Sequence, residues 1–288
     1  MTTVESEPMK NSNGKERHIL SVSGGKDSTA LAIFMKQEYP DLDLEYVFCD
    51  TGEELPETYA YIEKIETFLG KKITKLQSEK TWDEWVNQFS GYLPSARSRW
   101  CTANLKIIPF EKFVGEDTVY SYIGIRADEN REGYISSRKN IIAKYPFKEH
   151  GINKEDVIRI LNDSGLGLPD YYRWRTRSGC YFCFFQRKYE WLGLKENHPD
   201  LFEKAKKYET VNTDGSAQNF TWVQEGSLDV VLKNPDSIRK KHSQYETRVK
   251  EKKRRNSRKL IDIFSDELNF EDALNLEDDS EGCLVCHI

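Results

Sequence analysis

The residues with the plainest chemical capacity are Ser23-Gly24-Gly25-Lys26-Asp27-Ser28. They follow an apolar run, His18-Ile-Leu-Ser-Val, and precede the helix-like Thr29-Ala-Leu-Ala-Ile-Phe-Met. The order is strand, glycine turn, helix start. Two glycines let a backbone turn tightly and aim successive N–H groups inward. A helix N-terminus adds free donors and a partial positive charge. Lys26 brings a full charge, and Ser23 and Ser28 bring hydroxyls. The combination suits a phosphate. It is not a Walker A loop, which needs four residues between its first glycine and Gly-Lys-Ser/Thr.

Further candidates lie at other predicted strand ends. Asp50-Thr51-Gly52 follows Leu44–Cys49, and Gly124-Ile-Arg126-Ala-Asp-Glu follows Thr118–Ile123. Asp27 or Asp50 can supply the one or two carboxylates that Mg²⁺ takes beside phosphate oxygens; the alternative for Asp50 is a turn carboxylate. Arg126 offers a forked donor to a phosphate, or else a surface ion pair with Asp128 or Glu129. Arg97 and Arg99 read either as phosphate contacts or as solvated charges.

The six cysteines are Cys49, Cys101, Cys180, Cys183, Cys283 and Cys286, and two pairs have C-x-x-C spacing. In a chain expected to be cytoplasmic they point to metal or redox chemistry rather than structural disulfides. Cys101, Cys180 and Cys183 make three thiolates, one short of a four-cysteine site. Trp100, Tyr181, Phe182, Phe184 and Phe185 flank them and would shelter a cluster. The competing reading is a packing cysteine plus a redox dithiol. Cys49, inside a strand, reads as core. The fourth ligand is Cys283 or Cys286, or the position stays open for sulfide. The terminal pair also reads as a mobile thiol carrier, or as a tail without a role.

These groups need a scaffold, and the pattern supplies one. Predicted strands at Ile19–Val22, Leu44–Cys49, Lys72–Leu76 and Thr118–Ile123 alternate with helices at Thr29–Gln37, Thr58–Leu69, Trp82–Phe89 and Leu105–Phe113. Pro109 must then lie near a helix start or a kink. Alternation argues for an α/β fold with a doubly wound, mostly parallel sheet, whose ligands sit beyond the carboxyl ends of the strands. Beyond about residue 135 the pattern reads as helical and irregular, with helices at Glu155–Ser164, Lys188–Glu196 and Leu201–Glu209. The expected organisation is a disordered N-terminus (1–16), an α/β core carrying the glycine loop (17–135), a helical cysteine-bearing region packed on it (136–232), a basic segment (233–260) and an acidic tail (261–288).

The chain has 288 residues and a formal charge of −5. That balance hides a strong asymmetry. From Lys233 to Lys259 there are twelve Lys/Arg against three acids, and from Leu260 to Ile288 nine acids and no Lys/Arg. The basic segment is a helix or a disordered arm, and it fits either a phosphate-bearing partner or a solvated role. A mean hydropathy of −0.73, no apolar run of membrane-spanning length and no apolar signal core at the N-terminus give the expectation of a soluble, cytoplasmic protein with no membrane partner.

As a set, Ser23–Ser28, Asp50-Thr51-Gly52, Cys101-Thr-x-x-Leu-Lys-x-x-Pro, Gly124-Ile-Arg-Ala-Asp-Glu and Gly179-Cys-x-x-Cys resemble the phosphoadenosine phosphosulfate (PAPS) reductase-like branch of the PP-loop ATP pyrophosphatases, over about residues 17–210. Within it the chain is most similar to the sulfur-inserting enzymes of bacterial DNA phosphorothioation, the DndC and SspD type, which take part in phage defence. The resemblance implies an adenine nucleotide alpha hydrolase-like fold with a helical extension. It implies ATP held by Ser23, Gly24, Gly25, Lys26, Asp27, Ser28, Asp50, Thr51, Gly124 and Arg126, with Mg²⁺. It implies catalytic roles for Lys26, Asp27, Arg126 and Cys101, and a 4Fe-4S cluster on Cys101, Cys180, Cys183 and Cys286. AMP would pass to a DNA phosphate oxygen with release of pyrophosphate, and sulfur from a cysteine desulfurase would then displace AMP. DNA, the desulfurase and other modification-complex subunits are the implied partners. Sulfonucleotide reduction and tRNA thiolation are alternatives on the same fold, and a non-catalytic nucleotide-binding subunit is a third. The tail Glu281-Gly-Cys-Leu-Val-Cys-His is similar to, but not the same as, a reductase tail. Trp100-Cys101 stands where cluster-bearing reductases have a Cys-Cys pair.

Overall fold

β1 (Glu16–Ser21), β2 (Leu44–Asp50), β3 (Ile73–Gln77), β4 (Thr118–Tyr122) and β5 (Ile141–Lys144) form one sheet, all parallel, in the order β3-β2-β1-β4-β5. The computed structural model describes residues 14–130, 136–211 and 219–256. A parallel sheet must be covered on both faces, so its inner strands are apolar nearly throughout; in β2 every residue but Glu45 is buried. Side chains alternate in direction along a strand. Leu20, Tyr46 and Phe48 therefore face α1 (Lys26–Glu38), α2 (Pro56–Leu69) and α7 (Lys154–Asp163), whereas Ile19, Val47, Cys49 and Val119 face α5 (Ile108–Val114).

α1 is buried from Asp27 to Met35 without a polar stripe. The sheet takes one side of it, and α2 and α7 take the others. Phe34 meets Phe147 edge-on at 5.9 Å. α7 is amphipathic, with Val157 and Leu161 in this core, and it starts on a capping box in which Asn153 Oδ1 accepts the N–H groups of Glu155 and Asp156.

The helix expected at Leu105–Phe113 begins earlier, as α4 (Trp100–Thr102), and reaches α5 through a π-helical turn at Ala103–Ile107. Pro109 explains the turn. It has no N–H for an i→i−4 bond, and its ring crowds the carbonyl four residues back; a wider turn just before it removes both conflicts. Another difference from the sequence pattern is β5. It has four residues and stands at a sheet edge, too short for a periodicity to show.

A second core is aromatic. All six tryptophans contribute to it, together with Leu55, Phe182 and Phe202. It joins α3 (Trp82–Gln88) and α4 to α8 (Lys188–Asn197), α9 (Pro199–Lys207), α10 (Leu228–Val231) and α11 (Pro235–Asn256). Trp82 lies 4.2 Å from Phe182 and 5.0 Å from Trp100, centroid to centroid. A short α6 (Pro146–Glu149) and a 3₁₀ turn (Asp170–Arg173) complete the described elements. Most of the basic segment is thus helical, in α11; its last residues, the acidic tail and most of the expected disordered N-terminus lie outside the described residues. No helix among the described residues is long and apolar enough to cross a membrane.

Candidate active site

β1 is the strand from which the chain leaves toward β2 on one side while β4 pairs on the other. The crevice of such a sheet opens there, beyond the carboxyl ends of the strands. The loops after β1, β2 and β4 meet at this point, as expected from the sequence.

The first loop is shaped by close approach. Gly24 has φ +72°, and a Cβ on it would stand 2.9 Å from Thr58 Cγ2. A Cβ on Gly25 would stand 2.7 Å from Ser178 Oγ. Gly124 lies against the Asp27 carbonyl, 3.0 Å from where its Cβ would be. Hydroxyls hold the turn. Ser28 Oγ accepts the Ser23 N–H at 3.1 Å and lies 3.1 Å from Ser23 Oγ, and Thr29 Oγ1 donates to the Gly25 carbonyl at 2.7 Å.

Asp27 joins the two expected cations. Lys26 Nζ reaches its Oδ2 at 2.7 Å and Arg126 Nη1 its Oδ1 at 2.9 Å. Arg126 also pairs with Glu129 at 2.7 Å and Asp128 at 3.0 Å. It does so at 3% exposure, so the surface ion pair considered from sequence is an interior one. Burial works against its charge, but Asp27, Glu129 and Asp128 outweigh burial and raise its pKa. An anion bound at the helix start would find the loop N–H groups, the helix dipole and Lys26 together.

The Asp50 carboxylate is engaged by the protein. It accepts from the Gly52 N–H at 2.9 Å, Tyr59 Oη at 2.8 Å and Gln77 Nε2 at 3.1 Å, which fixes the end of β2. With Asp27 also paired, neither carboxylate is an uncommitted Mg²⁺ ligand; a divalent cation would have to compete with these donors. Thr51 Oγ1 donates to Glu54 Oε1 at 3.0 Å and lies 3.2 Å from Cys180 Sγ.

Cys180 is the cysteine that the fold brings to the crevice. Its thiol also points to Glu54 Oε1 at 3.9 Å. Burial, and then the Glu54 charge, push that thiol well above the usual range. Burial likewise raises the Glu54 carboxyl, with Lys106 pulling the other way. The Cys183 N–H donates to the Cys180 carbonyl at 3.1 Å, so the C-x-x-C segment is a turn. Cys101 packs on the rim of the aromatic core. Among the described residues no three His, Cys, Asp or Glu side chains form a group able to hold a metal ion. Cys101, Cys180 and Cys183 therefore do not form a group that could hold a single metal ion, and Cys286, the fourth ligand expected for a cluster, lies outside the described residues. Cys49 is a core residue, its thiol pushed up to about 12 by burial. Arg97 is exposed, and Arg99 lies over the Phe185 ring at 4.9 Å.

Several residues at the site carry no signal in the sequence. Tyr171 Oη donates to the Gly24 carbonyl at 2.7 Å, Tyr172 Oη accepts the Lys26 N–H at 3.2 Å, and Ser178 Oγ lies 3.2 Å from Ser23 Oγ. They come from a segment about 150 residues downstream. Neither spacing nor composition announces them, since only the fold brings them near. Glu54 and Lys106, buried beside Cys180 and Thr51, were given no role from sequence; Lys106 is the lysine of the Cys101-Thr-x-x-Leu-Lys-x-x-Pro motif, which was the available hint.

Residues 17–145 match the family model described as the phosphoadenosine phosphosulfate reductase domain. An uncharacterized protein of Methanocaldococcus jannaschii is 30% identical over 204 residues, covering 66% of this chain and 41% of that protein. An uncharacterized nin region protein of Escherichia phage lambda is 26% identical over 197 residues, covering 58% of this chain and 65% of that one. The chain thus spans less than half of the archaeal relative and just under two thirds of the phage one. Among solved structures, a phosphoadenylyl-sulfate reductase from Candida auris in a phosphate complex aligns with a TM-score of 0.45 at 14% identity, over 57% of this chain and 81% of that one. A U34-tRNA thiolase from Methanococcus maripaludis with its 4Fe-4S cluster aligns with a TM-score of 0.40 at 13% identity, over 77% of this chain and 81% of that one. Residues 17–145, which hold the parallel sheet and the glycine loop after β1, are thus similar to the phosphoadenosine phosphosulfate reductase domain over somewhat less than half of the chain.

Proposed function

We propose that this chain is an ATP pyrophosphatase that activates an oxygen for replacement by sulfur. The observation that carries the reading is the Ser23–Ser28 loop, with Lys26, Asp27 and Ser28 intact at the switch point and tied to Arg126. In the proposed reaction ATP is cleaved between its α and β phosphates. AMP passes to an acceptor oxygen and pyrophosphate leaves. Sulfur then attacks the activated centre, and the displaced oxygen departs on AMP. Lys26 and the loop N–H groups bind the phosphates, and Arg126 holds Asp27 in place.

The acceptor we favour is a phosphate oxygen of DNA, with sulfur supplied by a cysteine desulfurase. The exposed Lys240 and Lys241 of α11 are consistent with a polyanionic partner. A base of tRNA is the other nucleic-acid acceptor. Sulfonucleotide reduction is a second reading, favoured by the family match at residues 17–145.

The test is pyrophosphate release from ATP, measured with and without DNA or tRNA, alongside sulfite release from a sulfonucleotide with a thiol reductant. Pyrophosphate release that Lys26→Ala abolishes in a folded protein supports the first reading. Sulfite release without pyrophosphate hands the site to the second. Nuclease digestion and mass spectrometry of each nucleic acid then identify the acceptor.

A further inference from the structure

Arg175 and Arg177 stand two residues apart on the segment that leads into Cys180. Arg175 is 2% exposed and braces the turn that follows it. Its Nη1 and Nη2 donate to the carbonyls of Gly179 at 3.0 Å and Cys180 at 2.8 Å. Arg177 differs. Its Nη1 is shielded from solvent and has no hydrogen-bond partner among the described residues. A buried donor without an acceptor is costly, and a guanidinium cannot escape by losing its proton. Its missing partner should be an acceptor, best an anion.

The next residue places this segment beside the phosphate loop. Ser178 rests on the phosphate loop, with its Oγ 3.2 Å from Ser23 Oγ and 2.7 Å from where a Gly25 Cβ would stand. Arg177 is therefore one residue from a direct contact with the loop. Lys26 and Arg126, the cations foreseen for this site, are both paired with carboxylates. Arg177 lies beyond the residues that match the family model.

We propose that Arg177 is a phosphate-binding residue of this site, which closes on the polyphosphate tail of the nucleotide held by Ser23–Ser28. The inference rests on the nucleotide reading above and adds to it a cation from the second half of the chain. The forked guanidinium suits two phosphate oxygens at once. Arg177 touches the leaving pyrophosphate portion rather than the adenosine, so its loss weakens ATP and inorganic pyrophosphate together.

The experiment is calorimetric titration of ATP, and separately of inorganic pyrophosphate, into the full-length wild type, Arg177→Ala, Arg177→Gln and Lys26→Ala, with a thermal melt of each protein. A charge-assisted contact of this kind predicts an affinity loss of about tenfold or more for both ligands in Arg177→Ala. The ligand-free melting temperature should be unchanged or raised, since the donor removed has no partner. Affinities within about twofold of wild type overturn the proposal. Should Arg177→Ala fail to fold, Arg177→Gln, which keeps length and polarity but not charge, decides on the same criteria. Failure of the underlying reading looks different. A wild type that binds pyrophosphate but ignores ATP removes the nucleotide, and Arg177 is then judged on pyrophosphate. A wild type that binds neither overturns both. If Lys26→Ala binds as wild type while Arg177→Ala does not, the Lys26 assignment falls and the Arg177 one stands.

Discussion

Gly24→Ala tests the loop geometry without touching any charged group. Two costs follow from the structure. An L-residue at φ +72° sits in the left-handed region, at roughly 1–2 kcal/mol. The added methyl would stand 2.9 Å from Thr58 Cγ2, and Thr58 is fully buried in α2, so it cannot simply turn away. Overpacking of this kind costs about 1–3 kcal/mol. The sum, roughly 2–5 kcal/mol, is a large part of the stability of an ordinary domain. The assay is urea denaturation of wild type, Gly24→Ala, Thr58→Ser and the double variant. Thr58→Ser removes Cγ2 and keeps the hydroxyl, so in that background the glycine substitution should cost only the backbone strain, about 1–2 kcal/mol. Equal costs in both backgrounds would show that Thr58 is not what the methyl meets. A negligible cost in either would refute the left-handed turn, and with it the inward aim of the loop N–H groups.

Two further expectations concern titrating groups. Glu190 is buried; burial alone would raise its carboxyl, but Arg175 and donors from Arg187 and Thr176 outweigh burial and hold it below its ordinary value of 4.5. The ionised form is therefore favoured by folding, so its contribution is present above that ordinary value and lost as pH falls through the lowered one. Glu190→Gln should cost about 1–3 kcal/mol at neutral pH and progressively less in acid, read from denaturation curves across pH; a pH-independent cost would exclude the charge as its source. Cys49, with its thiol pushed up to about 12, should resist iodoacetamide in the native protein at mildly alkaline pH, whereas the partly exposed Cys101 and Cys183 react. Peptide mapping checks this, and comparable labelling of Cys49 would contradict its burial.

What the sequence made legible was local. Ser23–Ser28 could be read as a phosphate loop because a strand, two glycines and a helix start follow one another without a gap. The parallel sheet followed because β1 to β4 alternate with helices. Cys49 could be placed in the core because it sits in an apolar strand. Features set by tertiary contact were not legible. β5 has too few residues to show a period. Asp50 looked like an open carboxylate, but Tyr59 and Gln77, 9 and 27 residues away, engage it. Arg126 could be read as a forked donor or a surface ion pair, but not as an interior group partnered by Asp27, 99 residues distant. The C-x-x-C spacing was legible, but the contacts of the Cys180 thiol with Thr51 and Glu54, well over a hundred residues away, were not.

The phosphate loop is not completed by the residues that match the family model. The Gly24 carbonyl and the Lys26 N–H find their partners in Tyr171 and Tyr172, and Ser178 closes on Ser23. Two residues beyond Ser178, Cys180 touches Thr51, and the next N–H, that of Tyr181, donates to the Glu53 carbonyl at 2.9 Å. One short segment therefore rests on the loops after both β1 and β2. A phosphate that displaces the Tyr172 hydroxyl from the Lys26 N–H, or draws Arg177 inward, pulls on a backbone that reaches Cys180 within a few residues. The nucleotide loop and the thiol-bearing turn thus form one mechanical unit. On the reading proposed above, in which sulfur enters only after ATP has been cleaved, this shared segment is the element that would link the two regions.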